Sequence, residues 1–339
     1  MHKPVTILTG FLGAGKTTFL NHLLEENRDV RYAIIENEFG EQGIDNELVI
    51  RPYETIVELN NGCLCCTLND NLYDILNELF ERREQFDEII IEATGVADPT
   101  GLAEPFIAHP VIKKHFPLTS VICLVDAEQV HTQLAETEEA LNQIVFSDIL
   151  LLNKTDLVND QRIREVEAKL RQLNPLARII RGAIGHYPTI NYREGNQEKL
   201  TELLDRGHHH HDQGTEDKTF PVQRPHHHHH HDHTEEMHSI SFTFDRPFDH
   251  AKLTQQLFVY LNLQAKGLYR IKGLLWLAGH RERFLLQSVG KRFDIKEHGV
   301  WAEGVPKRSV LVFIGKNLPA KGLENMLKKG LATGEYREY

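Results

Sequence analysis

Several things are scarce in this chain, and each scarcity excludes something. There are four cysteines in 339 residues, three of them within four positions (Cys63, Cys65 and Cys66), and the fourth is Cys123. That is no disulfide framework, and in a reducing compartment such a cluster points to metal or redox chemistry. No apolar run reaches the ~18 residues of a membrane span. Positive charge is outnumbered, 38 Lys and Arg against 49 Asp and Glu, for a formal net charge of −11. A general nucleic-acid or anionic-membrane surface is therefore not expected. Met1-His2-Lys3-Pro4 leads straight into a strand-like run, without the pattern of a signal peptide. The expected compartment is the cytoplasm, with neither membrane nor nucleic acid as partner. No internal repeat is evident.

What is present is ordinary in bulk and uneven in detail. Forty per cent apolar and 26% charged residues suit a globular chain, and the length accommodates two domains. Over residues 1–206, short apolar runs alternate with helix-like segments. Val5 to Leu8, Tyr32 to Ile35, Thr55 to Leu59, Ile89 to Ile91, Val121 to Val125 and Ile149 to Leu152 read as strands. Thr17 to Glu26 and Asn71 to Arg83 have helical spacing. Such runs separated by helices predict a mostly parallel sheet covered on both faces.

Residues 207–238 differ. They carry His208 to His211, His226 to His231, His233 and His238 among Asp, Glu, Gln, Gly and Pro. This composition cannot offset the entropy of forming a core, so it reads as a flexible linker. Neutral imidazoles there could gather Zn²⁺, Ni²⁺, Co²⁺ or Cu²⁺, or the tract could be a spacer with incidental metal affinity. Residues 239–339 predict a smaller α+β domain. Its strands are expected at Ser239 to Phe244, Leu274 to Leu277, Arg283 to Gln287 and Val310 to Ile314, and its helices at Asp249 to Leu261 and Pro319 to Leu331.

Gly10-Phe11-Leu12-Gly13-Ala14-Gly15-Lys16-Thr17 follows a strand and opens a helix, the setting a phosphate-binding loop requires. Glycines let backbone N–H groups approach phosphate oxygens, and the helix N-terminus adds positive partial charge. Gly10, Gly13, Ala14, Gly15 and Thr18 are expected around the nucleotide. Lys16 is expected on the β- and γ-phosphates, and the Thr17 hydroxyl on Mg²⁺.

Asn153-Lys154-Thr155-Asp156 follows the strand ending at Leu152 and fits a guanine-reading turn. The Asp156 carboxylate can accept from guanine N1–H and the 2-amino group. Adenine has neither donor, so such a site discriminates strongly. Ile89-Ile90-Ile91-Glu92-Ala93-Thr94-Gly95 is a strand ending in the Asp-x-x-Gly switch pattern, with Glu92 in place of Asp. Glu92 is expected to reach Mg²⁺ through a water, and the Gly95 N–H to sense the γ-phosphate.

Asn61-Gly62-Cys63-Leu64-Cys65-Cys66 supplies three soft thiolates, which favour Zn²⁺ and Cu⁺. A second pair is missing, so the set is incomplete, which suits transfer better than permanent storage. Inert buried thiols and a redox switch are the rival readings of the cluster. Glu36-Asn37-Glu38-Phe39-Gly40-Glu41 occupies the position of a first switch loop, and its carboxylates could ligate metal or simply be solvated. His109 is a surface residue or a ligand. Cys123, inside an apolar strand, is most simply core.

Together these residues resemble the CobW-like metallochaperone GTPases, relatives of the nickel-insertion GTPases for hydrogenase and urease. The Walker A loop, Glu36 to Glu41, Cys63-x-Cys65-Cys66, Glu92-x-x-Gly95 and Asn153-Lys154-x-Asp156 stand in the family's order. The histidine tract and Gly273-Leu274-Leu275-Trp276 also fit. The resemblance implies an α/β P-loop NTPase domain, a His-rich linker and a smaller α+β C-terminal domain. It implies a GTPase that holds zinc on Cys63, Cys65 and Cys66 and transfers it to a zinc-requiring client protein. In some members Glu36, Glu41 and His109 equivalents also bind metal. Cobalt or nickel as the metal, GTP-gated storage in place of transfer, and a homodimer all stay open.

Overall fold

A computed structural model describes residues 2–36, 57–58, 68–183, 186–189, 191–192, 202, 237–301 and 304–333. The expected sites Glu41, Cys63, Cys65 and Cys66, and all but the last two residues of the 207–238 stretch, lie outside these residues; of Glu36 only the backbone is described. The chain divides into two compact units, Met1–Asn196 and Gln197–Tyr339.

In the first unit the order is β1 (Val5–Gly10), α1 (Lys16–Glu26), β2 (Tyr32–Glu36), β3 (Val57–Glu58), α2 (Leu68–Glu81), β4 (Glu88–Glu92), α3 (Pro99–Ala108), α4 (Pro110–His115), β5 (Leu118–Asp126), α5 (Val130–Glu136), α6 (Glu138–Phe146), β6 (Ile149–Asn153), α7 (Asp160–Leu173) and β7 (Arg178–Arg181). The seven strands form one sheet in the order β3-β2-β4-β1-β5-β6-β7. Every pairing in it is parallel. Strands buried on both faces must be apolar throughout. All of Val5–Gly10 and all of Ile149–Asn153 are indeed buried.

The helices obey local rules. Asn159 caps α7 by accepting from the Arg162 N–H at 2.9 Å, and Ile163, Val166, Leu170 and Leu173 bury one stripe of it. Asp98 caps α3 ahead of Pro99, a proline in the first turn where its missing N–H costs nothing. α2 begins three residues before the expected Asn71. β5 is longer than its apolar run, from Leu118 to Asp126. β7 has only two apolar residues between arginines, too few to announce a strand by pattern.

The second unit contains β8 (Met237–Phe244), α8 (His250–Leu263), β9 (Leu268–Trp276), β10 (Glu282–Val289), β11 (Arg292–Val300), β12 (Ser309–Lys316) and α9 (Ala320–Lys329). Its sheet runs β11-β10-β9-β12-β8, antiparallel at every pairing. Leu253, Leu257 and Leu261 of α8 and Leu323 and Leu327 of α9 pack on Ile271, Leu275, Leu286, Leu311 and Phe313. The expected α+β character holds. β8 begins at Met237, two residues before the expected start. β11 escapes pattern reading because only Phe293 and Ile295 of Arg-Phe-Asp-Ile-Lys-Glu-His-Gly-Val reach the core.

Candidate functional site

Parallel strands all end on one side of a sheet, and α/β proteins place their sites there. β1 ends at Gly10, and the chain turns through Gly13 and Gly15 into α1. Gly10 (φ 139°) and Gly15 (φ 97°) both take backbone conformations that L side chains rarely adopt. Space agrees: a Cβ at Gly10 would overlap Leu124 O, and one at Gly15 would lie 2.5 Å from Asn153 Nδ2.

Lys16 opens α1 and is buried. Its ammonium donates to Gly10 O at 2.9 Å and Phe11 O at 3.3 Å. Burial pushes its pKa down, and the Glu92 carboxylate opposes that shift. The next side chain, Thr17, donates from Oγ1 to Glu92 Oε1 at 3.0 Å. The register of β1 on β4 pairs Leu8 with Glu92, which sets this carboxylate beside the loop. A hydroxyl and a carboxylate converging on one spot are hard oxygen donors that fit Mg²⁺. Thr18 is exposed on the first turn of α1.

The loop after β4 lies on the phosphate loop. A Cβ at Gly95 would come within 2.6 Å of Leu12 N. Gln143 of α6, almost wholly buried, fixes it there by donating from Nε2 to Gly95 O (3.1 Å) and Ala97 O (3.2 Å). No motif marks Gln143 in the sequence.

At the end of β6, Asn153 Nδ2 donates to Ala14 O at 2.8 Å, so the guanine-type turn and the phosphate loop are joined directly. Lys154 has φ 59° and makes a 2.7 Å ion pair with Asp126, the buried last residue of β5. Asp126 is itself held by the Glu128 and Gln129 N–H groups, at 2.9 and 3.2 Å. Asp156 stands exposed in the following turn (Thr155–Leu157), where a ligand can reach its carboxylate. Asp126 is a second residue that sequence reasoning missed; an acidic strand end opposite an Asn-Lys-x-Asp turn is the only signal that could have found it.

The expected metal residues are less assembled. Among the described residues no group of three or more His, Cys, Asp or Glu side chains is placed to hold a metal ion. His109 caps α4, its Nδ1 accepting from the Ile112 N–H at 3.4 Å. With Nδ1 as acceptor the neutral ring carries its proton on Nε2. Metal ligation at Nε2 would therefore require the other tautomer and the loss of that cap. Cys123 is core, as expected: burial raises its thiol pKa to about 12.

The described backbone fixes only the point from which the chain departs toward the cysteines. Glu36 ends β2 in register with Glu92, and β3, parallel to β2, ends at Glu58. Cys63 follows Glu58 by five positions, a span of at most ~18 Å. β3 stands three strands from β1, about 14 Å across the sheet.

Comparison with known proteins agrees with this geometry. Residues 4–181 match the profile described as CobW/HypB/UreG, nucleotide-binding domain. Residues 237–331 match the cobalamin synthesis protein cobW C-terminal domain. The zinc chaperone YjiA of Escherichia coli is 33% identical, covering 93% of this chain and 94% of its own length. The zinc chaperone CobW of Pseudomonas aeruginosa is 32% identical over 97% of this chain and 92% of its own. The crystal structure of the Zn(II)-bound YjiA GTPase from E. coli superposes with a TM-score of 0.62 at 29% identity, covering 98% of this chain and all of that one.

Proposed function

This chain belongs to the CobW/HypB/UreG family, and on that premise we propose that it hydrolyses GTP to drive zinc delivery to a client protein. The observation that carries the nucleotide half is the joined set Lys16, Thr17–Glu92 and Asn153–Ala14. These contacts bring the three groups into one cluster, which supports reading them as phosphate cradle, cation site and base-reading turn. The curated relatives named zinc chaperones support the metal half.

Lys16 and the loop N–H groups would neutralise the β- and γ-phosphates. Thr17 and Glu92 would hold Mg²⁺, which supplies charge stabilisation at the transferring phosphoryl group. Water attacks the γ-phosphorus as the bond to the β–γ bridging oxygen breaks, giving GDP and phosphate. Val96, not glutamine, follows Gly95, so that position supplies no group to orient the water. Intrinsic turnover is expected near 10⁻⁴ to 10⁻² s⁻¹, on the order of unassisted GTPases. Zinc is cargo, held by Cys63, Cys65 and Cys66; thiolates of that number leave a tetrahedral site open for handover. Glu36, Glu41 and His109 are candidates for auxiliary ligation during transfer. β2 leads from the sheet into the first switch segment and β3 into the cysteines, so ordering by GTP would reach both through adjacent strands.

The test is a hydrolysis assay with GTP and competing ATP, on wild type and Lys16→Ala. We expect slow GTP turnover that excess ATP does not inhibit, and a loss of at least about 100-fold in Lys16→Ala. Equal use of ATP, or an active Lys16→Ala, would reject the nucleotide half of this reading.

A further inference from the structure

The segment after β7 carries no motif, yet it touches both halves of the nucleotide site. Gly182 O accepts from Thr155 Oγ1 at 2.9 Å and from the Thr155 N–H at 3.3 Å, tying it to the base-reading turn. Tyr187 lies deeper, 6% exposed. Its ring meets Phe19 edge-on with centroids 5.2 Å apart and tilts against His22 at 5.1 Å, both residues of α1. On the β7 side it covers Gly182, where a Cβ would come within 2.8 Å of Tyr187 Cδ1. The ring is thus clamped between the helix that follows the phosphate loop and the loop that follows β7.

The clamp carries the hydroxyl to the junction of phosphate loop and base-reading turn. A Cβ built on Gly15 would lie 2.5 Å from Asn153 Nδ2 and 3.9 Å from Tyr187 Oη. Asn153 Oδ1 and Tyr187 Oη are buried and neither makes a hydrogen bond of good geometry, while the Asn153 amide lies near enough to Tyr187 to act on its hydroxyl. Their chemistry is complementary, one an acceptor and the other a donor. Buried polar atoms left unpaired are costly, so orphans of opposite kind on two side chains that meet at Gly15 have reason to pair.

We infer that Tyr187 is a positioning residue for guanine-nucleotide binding, its hydroxyl donating to Asn153 Oδ1 when the base-reading turn closes on its ligand. The inference rests on the GTPase reading. A carboxamide has two nearly isosteric orientations, and only its partners decide between them. In the orientation present here, Asn153 Nδ2 donates to Ala14 O. The flipped amide would set Oδ1 against Ala14 O, acceptor against acceptor. A donor at Oδ1 locks the first orientation, and it leaves the second N–H of Asn153 for the ligand. Burial pushes the Tyr187 pKa up and outweighs the opposing pull of the adjacent Asn153 amide, so the phenol keeps the proton it must donate. Phenylalanine would preserve the ring contacts with Phe19, His22 and Gly182 and remove only this donor.

The test measures equilibrium affinity for GDP and ADP in wild type, Tyr187→Phe, Asn153→Ala and the double variant, with a thermal melt of each. Tyr187→Phe should weaken GDP about 5- to 15-fold, the scale of one hydrogen bond at a positioned group. It should change ADP binding by less than about twofold. In the Asn153→Ala background the same substitution should add less than about twofold, because the group it acts through is gone. Three results would overturn the role: wild-type GDP affinity in Tyr187→Phe, an equal effect with and without Asn153, or GDP and ADP weakened alike with a lowered melting temperature. A wild type without preference for GDP over ADP is a separate result. It would overturn the GTPase reading first, and this role with it.

Discussion

The two sheets of this protein distribute their chemistry in opposite ways. In the parallel sheet of Met1–Asn196, Gly10, Glu36, Glu92, Asp126 and Asn153 all terminate strands, and parallel direction sends every terminus to the same side. Phosphate loop, carboxylate, base-reading turn and their supports then meet without any long excursion of chain. In the antiparallel sheet of Gln197–Tyr339 neighbouring strands end on opposite sides, so the strand ends are divided between two edges. Its polar interest lies along a strand instead. His298, on the edge strand β11, has its pKa pushed down to about 4 by burial and by the nearby cations Arg283, Lys296 and Lys272. One sheet concentrates a site; the other spreads its charges over a frame built from α8, α9 and five strands.

That contrast predicts different penalties for a single polar change. The larger is expected in the parallel sheet. Asp126→Asn keeps an oxygen for the Glu128 and Gln129 N–H groups but removes the charge beside Lys154. Lys154 is then loosened in the base-reading turn. We expect about tenfold weaker GDP binding and a stability loss of roughly 1–3 kcal/mol, the scale of a partly buried charged hydrogen bond. Nucleotide titration and thermal melting check both, and unchanged GDP affinity would remove Asp126 from the site.

The smaller effect belongs to the antiparallel sheet and concerns pH. A histidine whose folded pKa lies near 4 binds fewer protons folded than unfolded between about 6.5 and 4. Stability should therefore be complete above pH 6.5 and fall as pH drops toward 4, with a slope approaching one proton. His298→Gln should flatten that slope without altering nucleotide affinity at neutral pH. Denaturant melts across this pH range measure it; an unaltered slope would show that other groups set the acid limit.

How much of this was legible in the sequence follows the same division. The phosphate loop, Glu92-x-x-Gly95 and Asn153-Lys154-x-Asp156 are local patterns, and strand-then-helix context made them readable. Their supports are not local. Gln143 reaches Gly95 across 48 positions, and Lys154 reaches Asp126 across 28. Nothing near either residue in the chain encodes the partner. The sequence offers His109 as surface or ligand; it is an exposed residue whose ring also caps a helix, a role that depends on where α4 starts. β11 was hidden because an edge strand needs few apolar residues. Tyr187 looked like any aromatic in a loop until Phe19, His22 and Gly182 enclosed it.

The central claim is that nucleotide state controls the hold on zinc. It is tested most directly by titrating zinc against a competing chelator, with GDP and with a non-hydrolysable GTP analogue, in wild type and in Cys65→Ser. Zinc affinity in wild type should differ between the two nucleotide states by about fivefold or more. Linkage requires the same factor to return when nucleotide is titrated with and without zinc. Cys65→Ser should bind zinc more weakly and lose the difference. Identical zinc affinity in the two states would contradict the account and leave a GTPase whose cysteine cluster merely stores metal.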